Sequence, residues 1–223
     1  MKAARIGLQG GTFDPVHLGH IRAAVAARRR FRLDRVLLIP SAVPPHKEYA
    51  DTAPPEHRLR MVKMACRGRT GLEASALEIE AGGTSYSFRT LEEVGRRRPE
   101  AVLFFLLGID AFLEIRTWRE YRRVLKQCHF IVTGRPGFDL ALAPSALTGE
   151  TGVRFIELGP EGSVVGPLPD EPSVFLMPLD ALDISSTDIR SRVRRGEALA
   201  GLVPEPVEKY IKRHGLYRGA GGQ

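Results

Sequence analysis

Two histidines, His17 and His20, stand one helical turn apart behind a Gly10–Gly11 pair, in the stretch IGLQGGTFDPVHLGH at residues 6–20. Imidazole donates hydrogen bonds to phosphate oxygens and stabilises charge that grows during phosphoryl or nucleotidyl transfer. The spacing lets both rings face whatever sits at that end of a helix. Such a pair can also bind metal, but no third ligand of matching spacing follows nearby. A second polar cluster, ISSTDIR at residues 184–190, gathers the hydroxyls of Ser185, Ser186 and Thr187 with Arg190. Hydroxyls, free N–H groups and a guanidinium at one helix start form a grip for polyphosphate. The plainer alternative is a capped helix with an exposed arginine.

These groups need elements to hold them. Residues 6–9 are a short apolar run that reads as a buried strand, and residues 21–30 read as a helix. Strand, glycine turn and helix in that order put free N–H groups and a positive dipole end behind the histidines. Residues 35–40, RVLLIP, form a second strand, which makes a βαβ unit and predicts a parallel sheet. SAVPPHK (41–47) follows at the C-terminal end of that strand, where ligands of open α/β sheets gather. There His46 and Lys47 can meet phosphates, or Pro44 and Pro45 simply stiffen a surface loop.

Further along, residues 55–67 read as a helix with proline near its start. A short strand at 72–76 and a loop at 78–85 come next. A helix over 86–97 then has Ser85 or Thr84 as its cap. AVLFFLL (101–107) is the most apolar strand and belongs at the sheet centre. Asp110, just beyond it, is placed either to contact ribose hydroxyls or a substrate amide, or to cap a turn at 111–114. Trp118 follows as a core or stacking residue. Residues 129–133 are another buried strand, ending in Gly134-Arg135-Pro136-Gly137. The Gly- and Pro-rich segment 138–172 holds a short helix near Leu140, Leu142 and Leu147 and a strand at 153–158. Prolines flank the last strand, 173–177, and place it at the sheet edge. A helix capped by Ser185 or Ser186 runs to Arg195, and an amphipathic helix over 203–218 is stopped by Gly215.

The chain has 223 residues, 43% of them hydrophobic, enough for one domain with a real core. We place that domain at 1–218, with 138–172 as an insertion or loop segment and 219–223 as a disordered tail. No apolar run reaches the length of a membrane span, and no signal peptide is visible. Cys66 and Cys128 form no metal pattern and are not expected to pair. A cytoplasmic protein without nucleic-acid or membrane partners is expected, with a homo-oligomer allowed. The net charge of +7 fits a phosphorylated substrate as well as nucleic acid. The runs Arg28–Arg30 and Arg96–Arg98 close predicted helices, where solvated cations favour the dipole.

Taken whole, GTFDP-x-H-x-GH resembles the signature of the HxGH nucleotidyltransferases, and ISST-x-IR resembles the second nucleotide motif of that superfamily. The PPHK, TSYS and GID…W segments resemble the bacterial nicotinate-nucleotide adenylyltransferase branch, and the likeness runs from Gly10 to Tyr217 apart from 138–172. Arg89 departs from it, standing where that branch usually carries Asp. The resemblance implies a Rossmann-like parallel sheet with helices on both faces, α/β in class and a single domain. It implies attack by the 5′-phosphate of nicotinate mononucleotide on the α-phosphorus of ATP, with Mg²⁺ carried on the ATP phosphates. It assigns His17, His20 and Arg190 to catalysis. Gly11, Thr12, Phe13, Ile184, Ser186 and Thr187 join them in holding ATP. Lys47, Thr84, Tyr86, Asp110, Trp118 and Arg135 fall to the mononucleotide and its surroundings. The alternatives are another HxGH adenylyltransferase, such as phosphopantetheine adenylyltransferase, or a non-catalytic nucleotide- or RNA-binding protein.

Overall fold

The computed structural model describes residues 3–44, 52–164, 166–180 and 182–218. Seven parallel strands form one sheet in the order β3-β2-β1-β4-β5-β7-β6. They are β1 (Arg5–Gly11), β2 (Arg35–Pro40), β3 (Leu72–Ala74), β4 (Val102–Gly108), β5 (His129–Thr133), β6 (Arg154–Glu157) and β7 (Ser173–Met177). The helices are α1 (Leu18–Phe31), α2 (Pro55–Cys66), α3 (Leu77–Ala81), α4 (Ser87–Arg97), α5 (Ile109–Leu113), α6 (Tyr121–Gln127), α7 (Ser186–Arg194) and α8 (Glu205–Arg213). This is a Rossmann-like α/β fold.

The period-two alternation of the strands divides the core in two. Phe104, Leu106, Ile131, Phe175 and Met177 face α1, α2, α7 and α8, where they pack with Phe31, Met61, Ile189 and Ile211. Leu103, Phe105, Phe130, Val132 and Leu176 face the other way, onto Leu91 of α4, Phe112 of α5 and Val124 of α6. Both sheet faces are covered, which is why the strands read as continuous apolar runs. No helix among the described residues is long and apolar enough to cross a membrane.

The winding reverses between β1 and β4. The chain goes from β1 out to β2 and β3, and from β4 the opposite way to β5. A crevice therefore opens beyond the carboxyl ends of β1 and β4, the place where such sheets bind ligands.

Several local expectations are corrected. Strand β7 is interior, between β5 and β6, and β6 is the edge. Pro172 and Pro178 lie outside the five strand residues, so every ladder N–H within them is available. Residues 77–81 are a short helix rather than loop, because no glycine interrupts the chain before Gly82. Helix α4 starts after Tyr86 with no side-chain cap. Ser85 instead accepts at Oγ from the Ala42 N–H (2.9 Å), and Thr84 bridges to Val43. The final helix is shorter than expected, ending at Arg213.

The Arg28–Arg30 run is not all solvated. Arg30 is 3% exposed and donates to the backbone carbonyls of Gly159, Gly162 and Pro178, each at 2.6 Å. Segment 138–172 is tied down there, and it also supplies strand β6 and a 3-10 helix, Leu140–Leu147, to the main body. The expected tail, 219–223, lies outside the described residues.

Candidate active site

Strand β1 ends at Gly11, and the chain then turns through Thr12, Phe13, Asp14 and Pro15 towards α1. Phe13 is buried in the left-handed region (φ 50°), an uncommon conformation for a non-glycine residue. Its ring meets the edge of His20 at 4.9 Å between centroids. His17 is the N-cap residue of α1. Its backbone N–H donates to Nδ1 of His20 (3.2 Å), and the two imidazoles lie 3.6 Å apart at 30°. An accepting Nδ1 leaves the His20 proton on Nε2, so a neutral His20 is a donor at that atom. Burial pushes the His17 imidazole down to about 3, and the positive charge of Arg135 pushes the same way. His17 is therefore neutral near pH 7 in the free protein.

The start of α7 is joined to this turn. Ser186 Oγ donates to the Pro15 carbonyl (3.0 Å). Arg190 donates through Nη1 to the Asp14 carbonyl (2.8 Å) and through Nη2 to Thr187 Oγ (3.4 Å). The same Nη1 lies 3.6 Å from Asp14 Oδ2. Ser185 caps the helix by accepting from the Asp188 N–H (3.0 Å). The two sequence motifs, some 170 residues apart, thus share one set of hydrogen bonds.

Beyond β4, Asp110 lies in the first turn of α5 and is ion-paired with Arg135 from the end of β5. It does not cap a helix, since the cap position is Gly108 and carries no side chain. A Cβ at Gly108 would strike both Asp110 Oδ1 and the Arg135 side chain, so glycine lets the pair sit over the strand end. Just before α4, Tyr86 has two guanidiniums over its ring, Arg119 at 5.0 Å and Arg89 at 5.7 Å from the ring centre. Trp118 sets its edge against Phe105 at 5.8 Å and is half-buried in the second core.

A family profile described as cytidylyltransferase-like matches residues 8–192. The probable nicotinate-nucleotide adenylyltransferase of Desulfatibacillum aliphaticivorans is 47% identical over 218 residues, covering 96% of this chain and 99% of that protein. The corresponding protein of Moorella thermoacetica is 40% identical, covering 97% of this chain and 93% of its own. The chain belongs to the nicotinate-nucleotide adenylyltransferase family. A solved structure of Plasmodium falciparum nicotinic acid mononucleotide adenylyltransferase complexed with NaAD superposes with a TM-score of 0.74 at 17% identity. It covers 96% of this chain and 97% of that one, a likeness of fold.

Of the residues that the family resemblance singles out, His17, His20, Phe13, Ser186, Thr187 and Arg190 meet at the turn between β1 and α1. Gly11 and Thr12 lead into it, and Ile184 lies buried just before α7. Asp110 and Arg135 stand at the ends of β4 and β5, and the Arg135 charge is felt at His17. Thr84 and Tyr86 line one cavity with Arg89, Arg119 lies over the Tyr86 ring, and Trp118 packs on Phe105. Lys47 and its neighbour His46 lie outside the described residues.

Three residues of the site escape the sequence reading. Arg58 is 2% exposed and donates to the carbonyls of Thr12 (2.8 Å), Ala42 (3.0 Å) and Ala53 (2.9 Å). It stitches together the loops after β1 and β2. Asp14 lies inside the signature but carries no phosphate chemistry of its own. Its Oδ1 accepts from Tyr217 Oη (2.7 Å) and the Ala53 N–H (3.0 Å). Only adjacency to the motif pointed to Asp14, and nothing local marked Arg58 or Tyr217.

Proposed function

We infer that this site carries the reaction of its family, adenylyl transfer from ATP to nicotinate mononucleotide in NAD biosynthesis. The acceptor's 5′-phosphate oxygen bonds to the α-phosphorus as the bond from that phosphorus to the bridging oxygen breaks. Nicotinate adenine dinucleotide forms and pyrophosphate leaves. The observation that carries this reading is the junction of Ser186 and Arg190 with the Asp14–Pro15 turn beside the stacked histidines.

That placement supports the roles proposed here, except that of Lys47, which rests on the family resemblance alone. The acceptor phosphate is already ionised, so no side chain need deprotonate a nucleophile, and the work is alignment and neutralisation. His20 donates from Nε2 to an α-phosphate oxygen as charge builds there. His17, neutral and buried, supports the phosphates from the α1 end, where the helix N–H groups also point. Ser186, Thr187 and Arg190 hold the rest of the triphosphate, and Ile184 and the Gly11–Phe13 backbone border the nucleotide. Asp110, ion-paired with Arg135, offers its carboxylate to the ribose hydroxyls, and Arg135 lends its charge to the substrate phosphates. Thr84, Tyr86 and Trp118 bound the pyridine ring, and Lys47 pairs with a substrate phosphate.

Among the described residues no group of three or more His, Cys, Asp or Glu side chains could hold a metal. Asp14 and Asp110, the carboxylates just beyond β1 and β4, are already paired with arginines. A divalent cation, Mg²⁺ in our proposal, is therefore best carried in on the triphosphate as part of the substrate, where it offsets phosphate charge.

The test is pyrophosphate release with ATP and Mg²⁺, offering nicotinate mononucleotide, nicotinamide mononucleotide and phosphopantetheine as acceptors. Fast release with the nicotinate compound is expected. Release with phosphopantetheine alone would refute the acceptor assignment, and ATP binding without release would refute catalysis.

A further inference from the structure

The mechanism above leaves one buried carboxylate without a task. Asp14 is 1% exposed. A carboxylate in that position is retained only where it is paired and hydrogen-bonded. Its two oxygens have different partners. Oδ1 accepts from Tyr217 Oη and the Ala53 N–H. Oδ2 accepts no hydrogen bond among the described residues and faces Arg190 Nη1. Arg190 also donates to the Asp14 carbonyl, so one residue holds the guanidinium through backbone and side chain together.

The far end of the chain is bent to reach this point. After α8, Gly215 and Tyr217 both adopt the left-handed region, at φ 60° and 65°. The Leu216 N–H closes onto the Ile211 carbonyl (3.1 Å), and the tyrosine turns inward. A non-glycine residue held in that region is over-determined by its surroundings. The surroundings here are the hydroxyl bond to Asp14 and the apolar packing of Tyr217 against the first core. Burial and the Asp14 charge push the phenol well above its ordinary range, so it stays a donor at any working pH.

We propose that Tyr217 is a positioning residue for adenylyl transfer: its hydroxyl fixes the Asp14 carboxylate, which in turn aims the Arg190 guanidinium at the triphosphate. The inference rests on the reading that Arg190 grips ATP. With the hydroxyl gone, Oδ1 loses its side-chain partner. Held by the Ala53 N–H alone, the carboxylate can turn to take Arg190 through both oxygens, drawing the guanidinium away from the nucleotide.

The experiment is a double-mutant cycle between Tyr217→Phe and Arg190→Lys. We measure kcat and KM for each substrate, with thermal unfolding of every variant. Tyr217→Phe is expected to unfold close to the wild type, to lower kcat/KM for ATP roughly tenfold and to leave KM for the mononucleotide unchanged. Arg190→Lys should cost much less in the Tyr217→Phe background than in the wild type. A Phe variant with wild-type kcat and KM, or two substitutions whose effects simply multiply, would overturn the proposal. So would a loss of thermal stability with unaltered kinetics. Tyr217→Leu serves the same cycle where the Phe variant does not fold. Should the wild type release no pyrophosphate with any acceptor, the proposed reaction fails on its own. The cycle is then read by calorimetric affinity for a non-hydrolysable ATP analogue, with the same coupling expected and additivity again overturning the proposal.

Discussion

The backbone N–H of His17 ends on Nδ1 of His20, and the two rings stack 3.6 Å apart, so the nearer histidine sets the tautomer of the farther one. Two neutral imidazoles can stack this closely, whereas two imidazolium rings at that distance would repel. Burial keeps the His17 ring uncharged in the free site, and positive charge nearby is carried by Arg135 and Arg190. A polyanion arriving there raises the affinity of the His17 ring for a proton.

His20→Ala should therefore act on the chemical step. A donor aimed at an oxygen that gains charge only in the transition state is worth more there than in the ground state. We expect kcat to fall by roughly a hundredfold or more, with KM for ATP changing by only a few fold. Steady-state pyrophosphate release measures both constants, and an unchanged kcat would remove His20 from the mechanism.

His17 predicts a stability profile. Its folded pKa, about 3, lies below the ordinary 6.5. The unfolded chain thus binds this proton first as pH falls. The contribution is complete above the unfolded value and is lost progressively between 6.5 and about 3. The slope is at most about 1.4 kcal/mol per pH unit for one group. His129 is lowered in the same direction by burial and by Arg5, so it adds to the background. Urea unfolding at a series of pH values should show a shallower acid limb for His17→Gln than for the wild type. Saturating ATP should flatten the limb of the wild type, and equal slopes for the two proteins would contradict the assignment.

Arg119 predicts substrate choice. It lies over Tyr86 and directly follows Trp118, two of the residues proposed to bound the pyridine ring. A nicotinate carboxylate gains from the Arg119 charge and a nicotinamide does not. Arg119→Ala should raise KM for nicotinate mononucleotide roughly five- to tenfold, the scale of a partly exposed charge contact, and leave KM for ATP unchanged. Competition between the acid and amide forms reads the ratio directly. An unaltered ratio would move acid recognition elsewhere. Arg89 is the control, since it reaches the same ring from the side of α4.

The parts of this fold that follow from local pattern are the parts the sequence discloses. Strands β1, β2, β4 and β5 are buried on both faces, so their apolar runs announce them whatever the rest of the chain does. Residues 184–190 declare a capped helix because Ser185 needs only its own neighbours to do so. The position of β7 inside the sheet depends on β6, four residues that are half-exposed and carry little apolar signal. Arg30 and Arg58 look like their solvated neighbours Arg29 and Arg60, and only tertiary folding gives them carbonyls to bind. Ser85 is diverted from capping α4 by an Ala42 N–H more than forty positions away. Long-range hydrogen bonds of this kind leave no periodic trace.

Arg58 gives the prediction that joins stability to the site. Its guanidinium satisfies three backbone carbonyls, two of them in the loops after β1 and β2 that shape the crevice. Arg58→Met keeps the length and apolar stem of the side chain but strands those acceptors in the interior. Each unsatisfied buried acceptor costs about 1–3 kcal/mol, so the variant should lose roughly 3–5 kcal/mol. For a chain of this size that is a fall of roughly 10 °C in melting temperature. Because the Thr12 carbonyl leads into Phe13 and Asp14, the nucleotide turn should loosen before the rest of the protein unfolds. We expect faster amide exchange at residues 12–14 and weaker ATP binding well below the melting temperature. A variant that melts early but binds ATP like the wild type while folded would confine Arg58 to stability and detach it from the site.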